Sequence, residues 1–444
     1  MYLENGAHLN YAFHSTQDTD CKVDPSTPQE DQPPKYGGTP KLYPGERLET
    51  IEGHPCIYKH IHPPPRDPEP TLNLGGEPQQ SLPLVVLIPG GAHNGRIYYG
   101  GHEGHSACDY LAHWLSQLGF PVLAISYPLE SEPELMPPVS PALRIHTWGR
   151  QAASITRSVV DATLSLRGRE ILLVGWSMGG RIVAPYTEAV MKYGLRVGLF
   201  VSLAATPGVA GLRPPPPGIT QTRHGYATCA GLFELFVRQI RDIIPTEVFR
   251  AEYYGHTPVS LHGWRLSHHA ATGRLVQDHW QSEADATPST DDFSLLPWMA
   301  AVVGTESLDA RHVLIDRTAW EYMNVQRLTS IWEKRHELLR EWRLKLETEP
   351  SSYTNSAPGS SSSQLENSVC HNDSMSGKAG TLWDAYSSFV LNMPGALTCT
   401  VSGNHYFFLG AKGAQKTAYS IAELWTKRCT LEVELWNILS NGSF

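Results

Sequence analysis

The run Ile171-Leu-Leu-Val-Gly-Trp-Ser-Met-Gly-Gly180 decides how the rest of the chain is read. Ile171–Val174 is uninterruptedly apolar, as a parallel strand covered on both faces should be. Gly180 to Lys192 carries a helical pattern. Between them Gly175-Trp176-Ser177-Met178-Gly179 fits G-x-S-x-G in the strand–turn–helix setting that this motif requires. A sharp turn there lifts the serine into a strained, exposed position, and the flanking glycines leave room where a Cβ would clash. The helix start that follows points backbone N–H groups at developing negative charge. The competing reading, a Gly-Ser-Gly cluster that merely turns the chain, does not account for the strand and helix on either side.

Outward from this run, strands and helices alternate. Leu84–Ile88, Val122–Ser126 and Val197–Leu203 are further strands. Ala107, Tyr110, Leu111, Trp114, Leu115 and Leu118 fall on one helix face, as do Ile145, Trp148, Ala152, Ile155, Val159 and Ala162. The alternation predicts an α/β fold with a doubly wound, mostly parallel sheet. Arg47–Ile51 and Cys56–Ile61, joined at Gly53-His54-Pro55, add a hairpin at the sheet edge.

After Thr206 the rhythm breaks at Arg213-Pro-Pro-Pro-Pro-Gly218, and Leu232, Phe233, Phe236, Val237, Ile240 and Ile244 open a helical cap. Strands resume at Trp298–Val303 and Leu397–Val401, with a long helix around Leu328–Leu346 between them and a last helix at about 414–427. The expected division is an irregular leader at 1–43, a first part of the core at 44–212, the cap at 213–295 and a core strand with its loop at 296–310. A helical insertion at 311–350, a Ser-rich disordered segment at 351–380 and the last part of the core at 381–444 complete it.

A serine needs a base to become a nucleophile. His405 follows the last strand directly, in Val401-Ser-Gly-Asn-His405, where a loop can carry it over the strand ends. A carboxylate that holds the histidine's tautomer belongs after Trp298–Val303, and Gly304-Thr-Glu306-Ser-Leu-Asp309 supplies two. Asp309 is preferred for its shorter side chain, Glu306 is the alternative, and Asp316 reads as an ordinary solvated carboxylate. The loop Pro89-Gly90-Gly91-Ala92-His93 follows the first parallel strand. It offers the N–H of Gly91, or of Ala92 in its place, as an oxyanion donor beside that of Met178. His102, Glu103, His105, Cys108 and His113 are metal-ligand types, but only His102 and His105 have helical spacing and Gly104 divides them, so no metal is expected.

The segments Val85–His93, Gly175–Gly180, Ala301–Asp309 and Val401–Phe408, in that order, resemble the α/β-hydrolase superfamily. The ending Gly403-Asn-His405-Tyr-Phe-Phe408 is similar to that of thioesterases acting on carrier-bound acyl chains. Ser307 stands where the superfamily's Gly-x-x-Asp motif has its acid. The resemblance implies Ser177, Asp309 and His405 as a triad, hydrolysis of an ester or thioester without cofactor, and a small-molecule acyl substrate, apolar or carrier-bound. Acyl transfer, cyclisation or peptide cleavage on the same fold, and a catalytically silent binding protein, are the alternatives.

Composition narrows the field further. The 444 residues are 41% hydrophobic and 18% charged, enough for a buried core. With 35 basic against 44 acidic residues the net charge is −9, which argues against nucleic acid or anionic membrane as partner. Neither an N-terminal signal sequence nor a membrane span is expected. Seven scattered cysteines without C-x-x-C pairs fit reduced thiols in the cytoplasm.

Overall fold

The computed structural model describes residues 42–65, 82–208, 221–228, 230–241, 243–244, 251–262, 265–268, 275–279, 293–335, 337 and 378–441. The leader up to residue 41, the Ser-rich segment and the apolar positions Leu338–Leu346 lie outside them.

Eight strands form one sheet: β1 (Glu46–Ile51), β2 (His54–Ile61), β3 (Leu84–Ile88), β4 (Val122–Ile125), β5 (Ile171–Trp176), β6 (Val197–Leu203), β11 (Trp298–Val303) and β12 (Thr398–Thr400). Their spatial order is β1-β2-β4-β3-β5-β6-β11-β12. The β1–β2 and β2–β4 pairs are antiparallel and all the others parallel. This is the doubly wound, mostly parallel sheet that the alternation predicts.

The all-apolar strands follow from coverage on two sides. Successive side chains of a strand point to opposite faces. Val85 and Leu87 enter one core, with α1 (Leu111–Gln117) and the C-terminal helix, whereas Leu84, Val86 and Ile88 enter another, with α2 (Ile145–Ala162) and α3 (Val183–Lys192). Leu172/Val174 and Ile171/Leu173 of β5 divide in the same way.

Three features differ from expectation. The cap region is not wholly helical: beside α4 (Ala230–Arg241) it holds the antiparallel pairs β7 (Tyr226–Ala227) with β8 (Thr257–Pro258) and β9 (Arg265–His268) with β10 (Leu275–His279). The helix after β11, α5, spans Arg317–Glu333 within the described residues and follows a π-helical turn at His312–Asp316. Before β12 stands a further helix, α6 (Lys378–Asn392), which the Ser-rich composition just upstream conceals, and the last helix, α7, runs Ala411–Asn441, well past Lys427.

One buried ion pair ties the sheet edge to the loop after β3. Glu46, at the start of β1, accepts from Arg96 Nε at 2.8 Å and Nη2 at 2.7 Å, from Tyr99 Oη at 2.7 Å and from the Tyr43 backbone N–H at 2.7 Å. Both charged side chains are fully withdrawn from solvent. Because a buried charge stripped of its partner is left uncompensated, Glu46→Ala should cost about 3–5 kcal/mol in urea unfolding. Glu46→Leu combined with Arg96→Met should recover most of that loss.

Candidate active site

The serine turn is built by close approach. Gly179 packs so near β3 that a Cβ on it would lie 2.7 Å from the Ile88 carbonyl oxygen, and one on Gly175 would lie 2.9 Å from the Gly179 backbone. Ser177, at the end of β5, has φ +49°, in the left-handed region that costs a non-glycine residue about 1–3 kcal/mol. A 3-10 helix, Ser177–Ile182, follows and runs into α3, so Met178 stands in a first turn, where backbone N–H groups lack intrahelical acceptors. The Ser177 carbonyl accepts the Thr206 N–H at 2.8 Å, which anchors the turn to the end of β6.

Asp309 and His405 come together from two neighbouring strands. Beyond β11 the N–H groups of Thr305 and Glu306 bond the Gly403 carbonyl at 3.0 and 3.1 Å, which joins the loop after β11 to the loop after β12. A 3-10 turn, Ser307–Asp309, then carries Asp309 inward, 3% exposed, with Oδ1 2.9 Å from His405 Nδ1. Glu306 is exposed. The turn explains how a carboxylate two residues past Ser307 reaches the histidine. Burial opposes the charge on Asp309, but the facing His405, with His312 and Arg311 behind it, outweighs burial and holds the carboxyl below its ordinary range. The His405 carbonyl accepts the Trp176 Nε1–H at 3.0 Å, and the two rings lie 5.2 Å apart. His405 is thereby seated against the residue that immediately precedes Ser177.

The loop after β3 closes the third side. A Cβ on Gly90 would lie 2.9 Å from Ser177 Cβ, so the two loops touch. Tyr127 Oη donates to the Gly90 carbonyl at 2.8 Å and so fixes the peptide whose other end is the Gly91 N–H. Ala92 has φ +64°, and its N–H donates to Thr257 Oγ1 at 2.8 Å. Of the two N–H groups considered for this loop, that of Ala92 is already engaged. His93 is fully buried, donates from Nδ1 to the Gly91 carbonyl at 2.7 Å, and accepts from Tyr406 Oη at Nε2 at 3.2 Å.

Sequence reasoning missed two groups here. The first is the cap stretch 252–257: Asn94 N–H bonds the Tyr253 carbonyl at 3.1 Å, Gly255 N–H the Ala92 carbonyl at 3.0 Å, and His256 N–H the Glu130 carbonyl at 2.7 Å. The cap thus inserts an extended segment between the loops after β3 and β4. Its signal was the β-prone Tyr253-Tyr254-Gly-His-Thr257, masked by the apolar stripe of α4 just before it. The second is His312, whose ring stacks on His405 with centroids 4.8 Å apart at 22°. Burial lowers its pKa although Asp316 pulls the other way.

The reading of Asp316 as a solvated carboxylate is corrected. It is 1% exposed, accepts from Thr206 Oγ1 at 3.0 Å and Arg311 Nη2 at 3.3 Å, and lies 2.6 Å from His312 Nδ1. The π-helical turn swings it inward, out of register with a regular helix. None of His102, Glu103, His105, Cys108 and His113 joins the one convergent group of three ligand-type side chains among the described residues, which is Asp309, His312 and His405. His102 Nδ1 instead meets Tyr253 Oη at 2.6 Å, and His105 Nδ1 donates to the His102 carbonyl at 2.6 Å.

Burial pushes His93 down to about 3 from 6.5, and the Gly91 carbonyl only partly offsets it. Between these values the unfolded chain binds a proton that the folded one refuses, so this stability is complete above about pH 6.5 and is lost as pH falls toward 3. The slope contributed is up to about 1.4 kcal/mol per pH unit. Urea midpoints measured from pH 7 to 4.5 should therefore fall steeply, and less steeply in His93→Gln.

A model of the alpha/beta hydrolase family matches residues 85–343, a span that includes Gly91, Ser177, Met178 and Asp309 and ends before His405. No curated protein matches the sequence. Solved structures that resemble it include MenH from S. aureus, at 12% identity over 60% of this chain and 85% of that one, with a TM-score of 0.33. A probable hydrolytic enzyme from Pseudomonas aeruginosa PAO1 shows 12% identity over 67% and 92%, TM-score 0.33. Fungal esterases from Rhizomucor miehei show 14% over 64% and 70%, TM-score 0.30. Likenesses this distant say nothing of substrate. The family match spans more than half of the chain, and the protein belongs to the alpha/beta hydrolase family.

Proposed function

We propose that the protein is a serine hydrolase that cleaves a carboxylic ester or thioester through an acyl-enzyme on Ser177. The observation that carries this reading is the pairing of His405 Nδ1 with buried Asp309 while the His405 carbonyl is bonded to Trp176, the residue before the serine. With its Nδ1 proton held by Asp309, the imidazole keeps Nε2 free as a base. Ser177 Oγ attacks the acyl carbon, His405 takes the proton and passes it to the leaving group, and Asp309 stabilises the imidazolium. Gly91 and Met178 N–H groups hold the oxyanion, and water then releases the acyl group by the reverse sequence.

An aromatic cluster lies between α4 and the loops after β3 and β12. Phe236 of α4 lies with its ring 5.0 Å from His93 and 6.2 Å from Tyr406, beside Tyr254. A wall of this kind suits a moderately large apolar acyl group better than acetate. The four cysteines among the described residues are all free, which supports a cytoplasmic site of action.

A fluorophosphonate probe should label Ser177 in the folded protein, and Ser177→Ala should abolish both labelling and ester hydrolysis. Absence of both in the folded wild type overturns the reading. Asp309→Asn should lower kcat about 10⁴-fold by imposing the wrong tautomer, whereas Glu306→Gln should change it little. Esters of medium-length acyl chains should outrun acetates in kcat/KM. Thr257→Val, which removes the acceptor of the Ala92 N–H, should loosen the oxyanion loop and lower kcat about tenfold with little change in KM. Thr257→Ser should restore it.

A further inference from the structure

We propose that Asp309, His312 and His405 form a binding site for a divalent transition-metal ion, and that occupancy of the site switches the hydrolase off. One donor atom from each of the three side chains lies within 4.8 Å of the others. His405 Nδ1 and His312 Nε2 stand 2.9 and 3.7 Å from Asp309 Oδ1. Zinc bound tetrahedrally at about 2.0–2.2 Å to nitrogen and oxygen spaces its ligands roughly 3.3 Å apart, so the two separations from Asp309 bracket that spacing and the imidazole pair, within 4.8 Å, closes on the ion when it binds.

Two observations point to a cation independently of that convergence. Asp309 Oδ2 is buried and finds no hydrogen-bond partner, an uncommon state for a carboxylate oxygen. Further, His312 Nδ1 lies 2.6 Å from the buried Asp316 Oδ2, so a carboxylate stands behind the ring on the side away from Asp309. A neutral His312 with its proton on Nδ1, beside Asp316, has a lone pair on Nε2, 3.7 Å from Asp309 Oδ1, and a metal ion bound there would join the two by coordinate bonds. Asp316 is itself fixed by Thr206 and Arg311. With an ion on Nε2, Asp316 would stand where the carboxylate of a carboxylate–histidine–metal relay orients a ligating imidazole. The charges favour a cation: Asp309 and Asp316 against Arg311 leave one net negative charge beside the two imidazoles.

The consequence for catalysis follows from proton balance. The ion takes the place of the Nδ1 proton of His405, which passes by way of solvent to Nε2 of the same ring, and takes the Asp309 carboxylate and His312 Nε2 as further ligands, with water completing four-coordination. A neutral imidazole bound to metal through Nδ1 carries its single proton on Nε2. It then cannot accept the proton of Ser177 Oγ.

The inhibitory consequence rests on the serine hydrolase reading, whereas the binding does not. The test is titration of metal-stripped full-length protein with zinc in competition with a chromophoric indicator, for wild type and His312→Gln, with folding checked by circular dichroism. We expect one zinc per wild-type chain and binding at least tenfold weaker in His312→Gln. Cobalt(II) in place of zinc should give the intense visible bands of a four-coordinate ion in wild type only. Ester hydrolysis should fall with the same zinc dependence and return on chelation, and in His312→Gln, scored against its own zinc-free rate, inhibition should require at least tenfold more zinc. No stoichiometric binding, or equal affinity in folded His312→Gln, overturns the proposal. Stoichiometric binding to a metal-free protein that neither hydrolyses esters nor labels at Ser177 would uphold the site and overturn the hydrolase reading instead.

Discussion

A serine held at φ +49° is the constraint around which this molecule is arranged. The conformation is unfavourable for a residue with a Cβ, and it persists because the structure on every side leaves no alternative. β5 ends buried between β3 and β6, Gly179 presses against β3, and the Ser177 carbonyl is pinned to the chain leaving β6. The two parallel neighbours of β5 deliver the loops that surround the serine. Cores on both faces of the sheet supply the burial that offsets the local strain.

The same logic decides which carboxylate meets the histidine. Glu306 and Asp309 are three residues apart in one loop, and chain order alone does not separate them. The difference is made by the bond from Glu306 N–H to the Gly403 carbonyl and by the tight turn that follows, which send one side chain to solvent and the other inward. Trp176 contributes from the opposite side by bonding the His405 carbonyl. Positioning is therefore shared between backbone hydrogen bonds of adjacent loops and one indole donor.

What could be read from the sequence was what is encoded locally. The strands β3, β5 and β6 announce themselves as apolar runs, α2 through its helical stripe, and the serine turn through glycines at fixed offsets. Asp309 and His405 were legible because they follow strands whose place in the order was already clear. The misses share a cause. Asp316 reads as solvated in the sequence because a π-helical turn, which shifts the phase of every later side chain, leaves no mark in a hydrophobic pattern. The cap stretch 252–257 pairs with residues more than a hundred positions away, and α6 follows a Ser-rich segment whose composition dominates any local window.

The backbone bonds between residues 252–257 and the loops after β3 and β4 bear on how such an enzyme can breathe. In many enzymes a loop or lid moves over the site as an element hinged at a few residues. Here the covering segment is laced to the very peptides that flank Gly91, through Ala92, His93 and Asn94. A rigid outward swing would tear open the loop after β3 with it. Movement of this segment and the shape of the loop after β3 are thus mechanically one variable.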